Sequence, residues 1–447
     1  MTTKELVVLI NDQMVGLVGQ GGSGRFSFRY ADAWLSTPSA IPLSLSMPLA
    51  KPEHGDDAVR PYMWGLLPDS EATLAAWGTR FGVSPRNPFA LLCHVGEDLQ
   101  GAVQMVLPDL LPSMQKQEGT TYLSRTTLAQ RFADLLRQPG STQFTPGGGQ
   151  FSLAGAQPKK ALCLVKGRWY EPRGRTPSTH ILKPQIPNMP GQVENEAFCL
   201  RLAPLLGLPA PHIWIERFGD LPVVVIERYD RVRVAGSRVL ALDQAGGEVR
   251  RVHQEDCCQA LKVMPQVKYQ NEGGPGITAI MTLLSGSAKP TEDRDRFMRA
   301  QAFNYCIGGS DAHGKNYGLL LAAKGRFRLA PLYDVISILP YLQSRKDARL
   351  AMSIDRHYRF DKIQPRHWEA QARAASYRPE RMLAHVRDVL ARLDDEAAAL
   401  AKNFKSDRMG SPELDALVRL LAERCDALRR VYGSEQMDDG SLTTDAK

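Results

Sequence analysis

Short apolar runs at strand period open the chain. "KELVVLI" (4–10), "QMVGLVG" (13–19) and "RFSFRY" (25–30) are separated by Asn-Asp and by Gly-Gly-Ser-Gly. Turn residues of this kind between β-rich runs predict antiparallel strands. "PLSLSMPL" (42–49) alternates Leu43 and Leu45 with Ser44 and Ser46, again at strand period. The pattern then turns helical. "LLPDSEATLAAWGTRFG" (66–82) offers Asp69 or Ser70 as N-cap, and "NPFALLCHVG" (87–96) places Pro88 at a first helical turn. These elements predict a small α+β domain over 1–108. Residues 109–150 read as a linker with one helix, "TLAQRFADLLRQ" (127–138).

A second β-rich lobe is expected over 151–250. "QFSLAGAQPKKALCLVKGRWYEP" (150–172) reads as strand, small-residue loop, strand, Lys-Gly turn and strand. "THILKP" (179–184) is a further strand, "VENEAFCLRLAPLLGL" (193–208) an amphipathic helix, and "HIWIERFGDLPVVVIERYDR" (212–231) a hairpin. A mostly helical lobe over 251–435 and a polar, disordered tail over 436–447 complete an α+β organisation without internal repeats.

Composition excludes several classes. Hydrophobic residues are 43% and charged residues 23%, ordinary for a soluble globular chain. The longest apolar runs, such as "PVVVI" (222–226), are far too short for a bilayer. The opening residues lack a signal-peptide core, so no membrane association and a cytoplasmic location are expected. The seven cysteines include no C-x-x-C pair, and no His/Cys set has zinc spacing, which predicts reduced structural thiols. The net charge of +8 is compatible with nucleic acid or an acidic partner.

Candidate chemistry concentrates in "GGSDAHGKNYGLLL" (308–321). Phosphoryl transfer needs a loop over the phosphates, a lysine to hold them and an acid to orient that lysine. It also needs a carboxylate to take the nucleophile's proton, and an amide plus a second carboxylate to hold magnesium. The chain offers these parts in kinase order. "SLAGAQPKK" (152–160) is either the loop or a plain hairpin turn; it is neither a Walker A nor a G-x-G-x-x-G. Lys183 sits on a strand, and Glu196 in the next helix is the acid expected to orient it, with Glu194 competing for that role. Asp311 and Asn316 have the D-x-x-x-x-N spacing of base and metal ligand, and Asp334 in "RFRLAPLYDVIS" (326–337) follows at a strand exit. Lys315 could add positive charge near the transferred group, and His313 could contact phosphate or brace the loop.

Nearly the whole chain resembles the HipA family of bacterial toxin kinases. The resemblance rests on "PLSLSMPL", "GLLPDSEA", "NPFALL" and "GEDLQGAV" in the first domain. In the core it rests on "FSLAGAQPKKALC", "THILKP", "VENEAFCL", "VIERYDR", "HQEDCCQAL", "KYQNEGGPGI", "GGSDAHGKNYGLLL" and "LAPLYDVIS". It implies a protein-kinase-like core, with a β-rich N-lobe and a helical C-lobe, preceded by a small α+β N-terminal domain. The implied cofactors are ATP and Mg2+. Asp311 resembles the catalytic base, Asn316 and Asp334 the magnesium ligands, and Lys183 the phosphate-holding lysine. Ala154, Gly155, Ala156, Gln157, Pro158 and Lys159 match the phosphate loop, and Glu227, Arg228 and Tyr229 the adenine-facing hinge. His313, Gly314, Lys315, Asn316 and Tyr333 line the nucleotide site. Ser152 matches the serine that family members autophosphorylate; a phosphate there adds about two negative charges where ATP phosphates must sit. Pro158 departs from the pattern by removing a backbone donor from the loop.

The implied function is a serine/threonine protein kinase toxin of a toxin–antitoxin module that causes growth arrest or persistence. Its expected substrate is an aminoacyl-tRNA synthetase such as glutamyl-tRNA synthetase. Its expected partners are a HipB-type DNA-binding antitoxin and, through it, operator DNA; a homodimer in the repressor complex is left open. Residues 345–366 hold seven basic and three acidic side chains. "DKIQPRH" (361–367) resembles the family's operator-contacting region, which makes Lys362 and Arg366 candidate DNA contacts, a solvated basic face or a synthetase-binding patch being the alternatives. The other class of function is a catalytically weak co-repressor that acts through antitoxin and operator binding.

Overall fold

The computed structural model describes residues 4–116, 119–138, 152–234, 248–342, 348–407 and 409–433. Strands Lys4–Ile10 and Gln13–Gln20 pair across Asn11 and Asp12, both with positive φ, as a tight hairpin turn requires. Phe26–Tyr30, Glu53–His54 and Val103–Val106 complete a five-stranded sheet. Helices Asp56–Gly65, Glu71–Phe81 and Pro88–Val95 accompany it, and Phe28, Tyr62, Phe89 and Leu92 bury a shared core. Ser70 caps Glu71–Phe81 and Asn87 caps Pro88–Val95.

"PLSLSMPL" is not a strand. Ser44 and Met47 form an isolated bridge, and Ser44 and Ser46 are as buried as the leucines. The alternation fails because this turn wraps a carboxylate from the other half of the chain. Glu255 accepts hydrogen bonds from the Ser44 hydroxyl and from Leu45 N–H at 2.7 Å. Burial drives the Glu255 carboxyl up to about 8; the two hydrogen bonds oppose the rise and Asp256 adds to it. Glu255 therefore takes up a proton on folding between its ordinary 4.5 and about 8. Its contribution to stability is full below 4.5 and is lost as pH rises through 8. Glu255→Gln is expected to flatten the melting temperature across that window, gaining most over the wild type at the alkaline end. Thermal melts that stay parallel for the two proteins would reject this assignment.

The second sheet has six antiparallel strands, in the order Ile213–Phe218, Leu221–Glu227, His180–Pro184, Lys160–Val165, Arg168–Pro172 and Thr120–Leu123. The last strand comes from the stretch expected to be linker. The helix Arg125–Arg137 from the same stretch buries Leu128, Phe132 and Leu135 against Leu162, Trp169 and Phe218 of the sheet. Ser152 and Leu153 lie in no strand; Ser152 N–H instead meets the Asp98 carbonyl at 3.1 Å. The stretch 139–151, residues 343–347 with Arg345 and Lys346, and the tail 436–447 lie outside the described residues.

Helix Gln192–Leu205 is not amphipathic as its pattern suggests. Gln192, Glu194, Asn195 and Glu196 are buried along with Val193, Phe198 and Leu202. The helix packs on the second sheet on one side and on helices Pro379–Ser406 and Pro412–Tyr432 on the other. The remaining lobe is helical around Pro290–Ile307, with Phe297, Phe303, Trp368 and Leu421 in its core. It also contains a three-stranded sheet, Gln254–Asp256, Gly318–Leu321 and Phe327–Leu329, the last being the strand expected ahead of Asp334. This sheet presents the 308–318 loop to the cleft between the lobes. All seven cysteines are free thiols.

Candidate active site

One cleft of about 590 Å³ lies between the β-rich and helical lobes. Strand His180–Pro184 delivers Lys183 to its floor, opposite Val224 of the neighbouring strand. The Lys183 ammonium donates to Glu196 Oε1 at 2.6 Å and to Asp334 Oδ1 at 2.8 Å. Glu194 is not the partner: it falls in the first turn of its helix, whereas Glu196 lies one turn beyond Gln192, which braces it at 3.1 Å. Burial would lower the Lys183 ammonium, but Asp334 and Glu196 together push it well above its ordinary value. Burial would likewise raise Asp334, and Lys183 and then Lys159 hold it well below the usual carboxylate range. Burial raises Glu196 despite Lys183, because one ammonium serves two carboxylates.

The loop 308–318 places the other groups. Asp311 faces the cleft with its side chain 46% exposed. Asn316 donates Nδ2 to the Asp311 carbonyl at 2.7 Å, which tightens the turn and leaves the amide oxygen as the acceptor end of that side chain. Gly314 is a correction. It does not line the cleft; a Cβ there would come within 2.5 Å of Pro275 Cγ and 2.9 Å of Cys258 Sγ. Its role is to let the loop pack closely. His313 is buried, and burial drives its imidazole down to about 3, so it stays neutral beside Asp311 at 3.8 Å. Tyr333 donates to the Lys315 carbonyl at 2.6 Å and stacks on Tyr229 at 5.7 Å.

The segment Ala154, Gly155, Ala156, Gln157, Pro158 and Lys159 lines the opposite wall. Gly155 has φ +103, and a Cβ there would sit 2.4 Å from Lys159 Nζ. The Lys159 ammonium donates to Ala154 O at 2.6 Å; burial and then the neighbouring Lys183 lower it to about 8. Ser152 is fully buried and donates its hydroxyl to Leu66 O at 2.7 Å. Glu227, Arg228 and Tyr229 all line the cleft, and the buried Arg228 guanidinium binds Asp230 at 2.7 Å and Ser178 at 2.9 Å. Lys362 and Arg366 are exposed and lie outside the cleft.

Sequence reasoning missed three residues here. Asp69, considered only as a helix cap, leaves that task to Ser70 and reaches the cleft from the first domain. It receives Lys315 on one oxygen and Lys268 at 2.8 Å on the other. Tyr269 donates its hydroxyl to Asp311 Oδ1. All three lie within stretches already singled out, but nothing in local spacing links positions about 200 residues apart. Outside the cleft, Asp355, His357 and His367 bring potential ligand atoms within 4.8 Å, closer than sequence spacing suggested. The two rings stack nearly parallel at 4.0 Å, so their in-plane lone pairs do not converge on one ion.

The cleft holds a hard-oxygen pair, Asn316 and Asp334, next to Lys183 and the Asp311 carboxyl. This donor set fits magnesium and a polyphosphate. Comparison with known proteins gives the same direction. Residues 6–106 match the family model described as the HipA N-terminal domain, and residues 151–397 match the HipA-like C-terminal domain. A Sinorhizobium fredii protein named "Putative kinase Y4mE" is 36% identical, over 84% of this chain and 86% of its own length. The serine/threonine-protein kinase toxin HipA of Shewanella oneidensis is 28% identical over 79% of each chain. The solved complex of the Shewanella oneidensis proteins HipA and HipB with operator DNA contains a chain of the same fold. The match has a TM-score of 0.79 and 23% identity, and covers 96% of this chain and 98% of that one.

Proposed function

The chain belongs to the HipA family of kinase toxins, and from that premise we propose that it is a serine/threonine protein kinase using ATP and Mg2+. The observation that carries this reading is the convergence of Lys183, Glu196, Asp334, Asp311 and Asn316 on one cleft. Asp311 takes the proton of the acceptor hydroxyl as its oxygen attacks the γ-phosphorus of ATP and ADP leaves. Lys183, fixed between two carboxylates, holds the phosphates, and Lys159 and Lys315 add positive charge at the cleft walls. Asn316 and Asp334 would hold magnesium, which supplies charge neutralisation between the phosphates when bound. Glu227 and Tyr229 meet the base.

The substrate class is a protein hydroxyl, with an aminoacyl-tRNA synthetase, glutamyl-tRNA synthetase first, as the target whose loss arrests growth. Ser152 is the autophosphorylation site. A phosphate on its buried oxygen has no room against Leu66 and would expel the loop from the ATP site. The test is incubation with γ-labelled ATP and magnesium, with and without a synthetase panel, for the wild type and Asp311→Asn. Label on a synthetase and on Ser152 with the wild type alone is the expected result. A wild type that labels nothing fails the reading.

The partners proposed are a HipB-type antitoxin and operator DNA in the cytoplasm. No helix among the described residues is long and apolar enough to cross a membrane. Lys362, in the turn Phe360–Lys362, and Arg366, at the start of helix Pro365–Ala374, expose two charges on one short segment. Arg359 is discounted because it pairs with Asp361 at 2.7 Å. Lys362→Ala with Arg366→Ala is expected to weaken operator binding by the antitoxin complex and to lower the salt slope by about two. An unchanged slope in gel-shift titrations would place the DNA elsewhere.

A further inference from the structure

Among the described residues the Asp311 carboxylate accepts one side-chain hydrogen bond, and it comes from the Tyr269 hydroxyl. An O–H donor aimed at this carboxylate is what a phosphoryl acceptor must supply. Tyr269 therefore stands, atom for atom at the donor, where a substrate serine or threonine would stand. Its ring packs edge-on against His313 at 5.0 Å, which sets its reach. The turn that carries it is held from both sides. Lys268 pairs with Asp69 of the first domain at 2.8 Å, and Gln270 accepts Ser353 N–H at 2.7 Å. Glu272 N–H and Gly274 N–H both close on the Tyr269 carbonyl, at 3.0 and 2.9 Å. Gly273 takes φ +108 to allow this. The backbone is thus fixed, and the side chain is half-buried.

Resting on the kinase reading above, we propose that Tyr269 holds the acceptor position at Asp311 Oδ1, so that a protein hydroxyl reaches that oxygen only by displacing the tyrosine hydroxyl. Until then the tyrosine also keeps water from that one oxygen, which slows hydrolysis of bound ATP. The acceptor this arrangement takes is a serine or threonine on an extended segment slender enough to enter beside the ring.

The test compares wild type and Tyr269→Phe, which keeps the ring and removes the donor. Magnesium-ATP with water as acceptor is one probe, and a mixture of seryl peptides is the other. The expected result for Tyr269→Phe is ATP hydrolysis raised about tenfold and peptide KM lowered by a similar factor, the scale of one hydrogen bond to a carboxylate. Unchanged hydrolysis and KM, a lower kcat at constant KM, or phosphate found on Tyr269 itself would each overturn the proposal. Adding Asp311→Asn separates the two readings. If the raised hydrolysis survives it, Asp311 is not the base and the kinase assignment fails. A carbon-13 titration of the Asp311 carboxyl gives a readout without turnover. Loss of the tyrosine donor moves its midpoint to higher pH; an unmoved midpoint also overturns the proposal.

Discussion

Asp311→Asn is expected to lower phosphoryl transfer by about 10²–10⁴-fold while ATP affinity stays within a few-fold of wild type. The amide has the shape of the carboxylate but cannot accept the acceptor's proton. The loop survives the change, because its internal bond runs from Asn316 to the Asp311 backbone carbonyl rather than to the side chain. Gly314 remains packed against Pro275 and Cys258, so the neighbouring ligands keep their places. The wild-type pH profile supplies a second signature. Burial raises the Asp311 carboxyl above its ordinary 3.8, against the Tyr269 hydrogen bond and with Asp334 adding to the rise. A base must be ionised to act, so kcat/KM falls as pH drops through this raised value, earlier than for a solvated aspartate. That acid limb disappears in Asp311→Asn. A variant that keeps the wild-type rate and limb would remove Asp311 from the reaction.

What could be read from the chain was what local chemistry encodes. Asn11-Asp12 marks a hairpin because few other residues accept positive φ, and Ser70 and Asn87 cap helices through their own side chains. "GGSDAHGKNYGLLL" was legible because its loop is closed by its own residues. The candidate lysine and its partner Glu196 were legible too, although spacing keeps Glu194 as a competitor until the helix start at Gln192 is known. "PLSLSMPL" misled because period two signals a strand only when one face is wet, and here both serines are buried around Glu255. The helix Gln192–Leu205 misled for a related reason. Its polar residues serve buried bonds, as when Asn195 Nδ2 reaches Ser337 O at 2.9 Å. Asp69, Lys268 and Tyr269 form one charged and hydroxylic chain to Asp311 from two distant parts of the sequence. No periodicity carries that information, since only the docking of the first domain onto the helical lobe creates it.

Lys183→Met carries the other large effect, and it acts on stability as well as on rate. Removing a fixed charge that faces the transferred phosphates is expected to cost about 10²–10³-fold in kcat. The side chain is 6% exposed and Glu196 3%, so the change also strands a carboxylate in the interior. Breaking a buried pair from one side costs about 3–5 kcal/mol when the remaining charge cannot escape. Here Glu196 has an escape, because burial already raises its carboxyl and the lost ammonium was what opposed this. In the variant Glu196 folds as the neutral acid, and Asp334, no longer held down by Lys183, rises as well. Glu196 then binds more protons folded than unfolded and Asp334 gives up part of its depression, so the variant's deficit is smallest below the unfolded carboxylate range and grows as pH rises. Glu196→Gln added to Lys183→Met removes one of the two acids and is expected to recover much of the melting temperature at neutral pH. It does not recover transfer, which needs the ammonium itself. Thermal melts from acid to neutral pH together with single-turnover transfer separate the two losses. A deficit that is flat with pH and untouched by Glu196→Gln would mean that Lys183 stabilises the lobe by packing alone.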